Sequence, residues 1–170
     1  PWERGFYLVT GPGPHPTGLT DETLLVNAEF PAIPLLVGKN RAHAARLGEK
    51  WFHPERLLLD DGFQYRRLPK DIDLVLWDAA LNPAEAELIP AGTLREPLAK
   101  LGRASAILLS RCESLSDEAI RIISKKLNAF APEVPIIPLK TVSTGWKDEE
   151  NRLVPLADGP RKVFAFAAIG

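Results

Sequence analysis

Short apolar runs alternate with helix-like stretches along this chain, and few folds accept that alternation. The runs are "GFYLVTG" (5–11), "IPLLVG" (33–38), "RLLLD" (56–60), "DIDLVLWDA" (71–79), "SAILLSR" (105–111), "VPIIPL" (134–139) and "KVFAFAAIG" (162–170). Most are apolar throughout rather than on every second residue. Strands of that kind are buried on both faces, as in parallel sheets with helices above and below. Between them lie "DETLLVNAEF" (21–30), "RAHAARLGEK" (41–50) and "SDEAIRIISKKLNAFA" (116–131). Thr20 precedes the first as an N-cap, with acidic residues in the first turn. Ser116 caps the third, and Ala119, Ile120, Ile123 and Leu127 fall on one of its faces. "PAGTLREPLAKLGRA" (90–104) reads as a loop leading into a short helix, and 141–160, with "KDEENR", as a polar hairpin or loop. The expected fold is α/β: a three-layer domain over 1–170 with a mostly parallel sheet.

Composition narrows the class. A hydrophobic share of 45% against 25% charged fits one soluble globular domain with a real core. A net charge of -1 leaves no nucleic-acid footprint on the molecule as a whole. Cys112 is the one cysteine, so no disulfide framework exists. No apolar run reaches the roughly 18 residues of a membrane span. The chain opens on Pro1, contains no Met and stops on a strand signal, so it reads as an internal piece of a longer protein, incomplete at both ends.

In a parallel α/β sheet, ligands bind beyond the C-terminal strand ends. The 11–22 loop, Asp60, Asp61 and Asp78 are expected at that edge. "DDGFQY" (60–65) places two adjacent carboxylates at the end of an apolar run. A carboxylate there is the Walker B pattern, which helps to hold Mg²⁺ beside ATP phosphates. The cation would remove the repulsion between the pair. The plainer alternative is that one Asp caps the turn and the other is solvated, since Asp-Gly is a common turn pair. Asp21 and Glu22 form a second pair at a helix N-terminus, either as solvated first-turn charges or as a base and a metal contact. "PAGTLREP" sets Arg95 in a Pro/Gly loop, where a guanidinium suits phosphate but also an ordinary surface ion pair. His15, His43 and His53 share no metal-like spacing, Cys112 has no base near it in sequence, and the four tryptophans are scattered as packing residues are. No GxxxxGK[ST] phosphate loop, or Walker A motif, is present: Gly38-Lys39 is followed by Asn40, and "GPGPHPTG" (11–18) is short of N–H donors because of its prolines.

Five blocks in order carry a resemblance. "TDETLLV" (20–26), "VGKNR" (37–41), "LLLDDGFQYRRLPKDIDLVLWDA" (57–79), "IPAGTLREPLAKLGRA" (89–104) and "VFAFAAIG" (163–170) resemble the tetraacyldisaccharide 4'-kinase family, the lipid A 4'-kinases of Gram-negative bacteria. The resemblance implies a P-loop kinase that uses ATP and Mg²⁺ on the cytoplasmic face of the inner membrane. Its acceptor would be the 4'-hydroxyl of an acylated disaccharide 1-phosphate. It implies Asp21 as base, Glu22, Asp60 and Asp61 as metal ligands, and Arg95, Gly62 and Gln64 as substrate- or phosphate-positioning residues. The phosphate loop, a membrane-associating segment and a C-terminal domain after 141–160 are implied outside this chain, which alone is expected to be inactive. Three departures stand out: Thr20 where the family usually has Gly, Tyr65 where it has His, and "NPAEAE" (82–87) where it has Gly-Asn-Gly. They leave room for two rivals, a degenerate non-catalytic binding module of this fold and a P-loop kinase for another acceptor.

Overall fold

The computed structural model describes residues 6–11, 19–150 and 152–162. The strand expected over 162–170, the Gly/Pro loop 12–18 with His15, and Trp2 lie outside the described residues, Lys162 excepted. The chain divides into two compact units, Pro1–Asp71 and Ile72–Gly170.

The first unit orders β1 (Phe6–Val9), α1 (Asp21–Glu29), β2 (Leu35–Gly38) and α2 (Arg41–Phe52). Thr20 caps α1 as expected, its hydroxyl accepting the Thr23 N–H at 3.3 Å. Asn40 caps α2, its side-chain oxygen accepting the His43 N–H at 3.1 Å. β1 and β2 pair antiparallel, Val9 opposite Leu35 and Phe6 opposite Gly38. This departs from the parallel pairing expected across an intervening helix. Gly11, just past the end of β1, adopts φ 68° in the left-handed region. Its N–H donates to the Pro31 carbonyl at 3.0 Å, so the exit of β1 and the approach to β2 share one end, and β2 must run back. The buried Asn27 fastens α1 to the same point, donating to the Gly11 carbonyl at 3.1 Å.

A second correction concerns "RLLLD". Residues 56–60 form no strand. A strand requires a ladder partner for its N–H and C=O groups, and this run has none among the described residues. Leu57 reaches back toward α2 beneath Gly48, where a Cβ would meet Leu57 Cδ2 at 3.4 Å and Leu36 Cδ1 at 3.1 Å. Leu58 points to solvent and is 93% exposed.

The second unit is built on a parallel sheet, β3 (Leu74–Asp78), β4 (Ala106–Ser110) and β5 (Ile136–Pro138), in that order. A 3₁₀-helix (Leu98–Arg103) leads into β4, and α3 (Asp117–Asn128) connects β4 to β5. Ser116 caps α3 by accepting the Ala119 N–H at 3.2 Å. Leu127 is fully buried, with Ala119, Ile120 and Ile123 partly buried on the same side, as the period requires. Ile107, Leu109, Leu127 and Cys112 are wholly removed from solvent, and Trp77 almost so. Full burial of one such aliphatic side chain is worth about 1.5–3 kcal/mol. The other face of the sheet is open: Leu74, Leu76 and Ile137 are 51%, 68% and 45% exposed. In the polar region, β6 (Trp146–Lys147) and β7 (Leu153–Val154) form an antiparallel hairpin.

Candidate active site

The DDGFQY turn follows Leu59 without a strand behind it, so its shape must come from local contacts. Asp61 adopts φ 50°, in the left-handed region. Gly62 follows because a Cβ there would approach the Leu59 carbonyl oxygen to 2.9 Å. The Tyr65 N–H donates to the Gly62 carbonyl at 2.9 Å and closes the turn. Lys70 bridges it from outside, its Nζ donating to the carbonyls of Gly62 at 2.9 Å and Tyr65 at 3.0 Å.

The closed turn is fastened to the N-terminus of α2. Arg41 Nη1 donates to the Asp61 carbonyl at 2.9 Å, and its guanidinium carbon lies 5.8 Å from the centroid of the Tyr65 ring. The Tyr65 hydroxyl accepts the Ala42 N–H at a long 3.4 Å. Asp60, Asp61 and Gln64 remain exposed. The turn is thus pinned through the Asp61 carbonyl with both acidic residues exposed, an arrangement able to receive a hydrated cation.

Asp21 and Glu22 lie in the exposed first turn of α1, where the N-terminal amides favour negative charge. Among the described residues, no three Asp, Glu, His or Cys side chains gather closely enough to enclose a metal. Glu22, Asp60 and Asp61 therefore do not form a three-ligand cage. Mg²⁺ does not need one, since it is commonly held by one or two carboxylates, waters and substrate phosphates. The adjacent, exposed pair Asp60–Asp61 fits that pattern.

In the second unit, the PAG loop is tight. Gly92 donates to the Leu88 carbonyl at 2.9 Å, and a Cβ on it would overlap the Glu87 carbonyl. Arg95 is exposed beyond this loop. The neighbouring Glu96 pairs with Arg103 at 2.7 Å. Asp78 stands at the C-terminal end of β3, as expected, and pairs with Arg111 at 3.1 Å while accepting the Ala80 N–H at 2.9 Å.

Sequence reasoning passed over Arg41, Lys70 and Arg111. Arg41 lies in "VGKNR", a block of the family resemblance that fails as a phosphate loop and assigns this arginine no role. Lys70 sits in a basic turn, where a lysine facing two carbonyls looks like one facing water. Arg111 is betrayed by no motif, and its φ of 60° is visible only in the structure.

Known proteins resemble the chain along nearly its whole length. The family model for LpxK, tetraacyldisaccharide-1-P 4'-kinase, matches residues 3–170. A tetraacyldisaccharide 4'-kinase of Halothermothrix orenii is 35% identical over 128 residues, which make up 75% of this chain and 33% of that protein. A second, from Pelobacter propionicus, is 35% identical over 158 residues, 88% of this chain and 39% of that protein. The chain thus spans between a third and two-fifths of the length of these relatives. The crystal structure of LpxK from Aquifex aeolicus in complex with ATP superposes with a TM-score of 0.68 at 25% identity, covering 91% of this chain and 46% of that one. A match over residues 3–170, with a shared α/β fold, means that this chain belongs to the tetraacyldisaccharide-1-phosphate 4'-kinase family.

Proposed function

We propose that the protein carrying this chain transfers the γ-phosphoryl group of ATP to the 4'-hydroxyl of a tetraacylated disaccharide 1-phosphate. The observation that carries this reading is the Asp60–Asp61 turn, presented to solvent and pinned to α2, in a chain of this family. Mg²⁺, bound with ATP, would neutralise charge on the phosphates. Asp60 and Asp61 would hold it, with Glu22 as a further contact. Asp21, exposed at a helix N-terminus, would accept the proton of the attacking hydroxyl. Arg95 would meet phosphate through its forked donors, with Gly62 and Gln64 positioning substrate at the turn. Phosphoryl transfer demands placement and charge compensation more than covalent chemistry, and exposed carboxylates on a braced turn supply the first.

The acceptor is an acylated lipid, so the protein would work at a membrane surface, which we place at the cytoplasmic face of the bacterial inner membrane. Among the described residues no helix is long and apolar enough to cross a membrane. Residues 1–170 would be part of the nucleotide-binding domain, with the 141–160 hairpin or loop region leading toward a C-terminal domain.

The test is ATP-dependent phosphorylation of tetraacyldisaccharide 1-phosphate by the intact protein and its Asp21→Asn, Asp60→Asn and Asp61→Asn variants. Loss of a general base or charge partner should lower kcat by roughly 10²–10⁴-fold. An intact protein that binds ATP but phosphorylates no acceptor would favour the non-catalytic binding module, which the Tyr65 and "NPAEAE" departures fit. Turnover confined to a different alcohol would favour the rival acceptor.

A further inference from the structure

Two residues outside the roles above brace the turn that carries Asp60 and Asp61. We propose that Arg41 and Tyr65 are positioning residues, a clamp that fixes the two carboxylates against the N-terminus of α2. What the carboxylates do rests on the kinase reading, while how they are held does not.

The turn is tied down at its most demanding point. Asp61 sits at φ 50°, a region that side-chain-bearing residues adopt reluctantly. Arg41 Nη1 holds the carbonyl of that same residue at 2.9 Å. One guanidinium makes two contacts at once, a hydrogen bond from Nη1 to the Asp61 carbonyl and a position over the Tyr65 ring, its central carbon 5.8 Å from the ring centroid. A lysine ammonium is a point charge without that plane, so it would keep at most one of them.

Tyr65 also closes a gap in the helix. The first amides of a helix have no partner within it. Asn40 takes the His43 N–H, and the Tyr65 hydroxyl takes that of Ala42. At 3.4 Å this second bond is weak. The ring beneath Arg41 therefore carries more of the clamp than the hydroxyl does. Lys70 completes the bracing by holding the Gly62 and Tyr65 carbonyls together. Where the resembled family usually has His, this chain joins turn to helix through an aromatic face and a phenol.

The clamp is tested on the intact protein with Tyr65→Ala, Arg41→Lys and Tyr65→Phe, and with Asp60→Asn as reference. The first readout is amide hydrogen exchange across residues 60–65 without nucleotide or metal. The second is kcat against KM for the acceptor. Tyr65→Ala and Arg41→Lys should speed exchange in 60–65 and lower kcat by roughly 10- to 100-fold, as loss of outer partners of a ligand does. KM for the acceptor should hold, and Tyr65→Phe, which keeps the ring, should recover most of the loss. Unchanged exchange in both variants overturns the clamp. Faster exchange with kcat intact overturns the positioning role. Should Tyr65→Ala fail to fold, Arg41→Lys, at a partly exposed helix start, carries the same comparison. Undiminished activity in Asp60→Asn would sink the kinase role of the carboxylates and leave the exchange result standing.

Discussion

At Gly62, a methyl group would sit 2.9 Å from the Leu59 carbonyl oxygen and 3.2 Å from two carbons of the Leu59 side chain. The nearest obstacle is backbone, so the strain cannot be relieved by a rotamer change. Gly62→Ala should destabilise the intact protein by about 1–3 kcal/mol, the range for overpacking a tight site. Thermal unfolding measures this, and an unchanged midpoint would show that the turn reshapes freely. The sequence expectation assigned Gly62 to substrate positioning. The structure adds a steric demand that holds whether or not substrate is near. Asp21, Glu22, Asp60, Asp61 and Arg95 could be named as candidates from sequence because charge in a loop or first turn is visible as residue type and spacing. Arg41 could not, because its value lies in meeting a carbonyl 20 residues away. Only folding brings that pair together.

Among the elements, helix starts were readable and strand partners were not. Thr20 and Ser116 cap α1 and α3 because a cap is a local bond spanning three residues. Strand direction is set by distant closures, such as the one between Gly11 and Pro31, and apolar runs do not encode it. "RLLLD" has the composition of a strand and no partner among the described residues. The 141–160 region was legible as polar, yet its hairpin depends on one carboxylate. Asp148 accepts the Arg152 N–H at 2.8 Å and the Glu150 N–H at 3.0 Å, and pairs with Arg152 Nε at 2.7 Å. The backbone bond from Arg152, then its side chain, hold the carboxyl below its ordinary value of 3.8. A lowered folded value means that this support is present above the ordinary carboxylate range and is lost as pH falls through the folded value. The Arg152 amide resonance should therefore stay constant above about pH 5 and shift only in stronger acid. In Asp148→Asn that shift should vanish, and a persisting shift would assign it to another group.

For the molecule as a whole, a site needs more than its acidic half. Kinases of this class hold the β- and γ-phosphates in a glycine-rich loop of backbone N–H groups with a lysine. This chain has no GxxxxGK[ST]. Its one Gly-Lys pair, Gly38-Lys39, ends β2 and leads straight into Asn40, whose side chain is engaged as the α2 cap. Carboxylates repel phosphate wherever no cation bridges, and a weakly held nucleotide would not be presented in line to an acceptor. The 170 residues by themselves should therefore transfer no phosphoryl group to tetraacyldisaccharide 1-phosphate above the uncatalysed background, whereas the intact protein should do so under the same conditions. Radiolabelled ATP, with the acylated product resolved by chromatography, makes the comparison. Transfer by the 170-residue chain that disappears in Asp60→Asn would mean that the phosphates are cradled by residues within this chain. The "GKNR" stretch at the start of α2, adjacent to the pinned turn, would then be the place to look for that cradle.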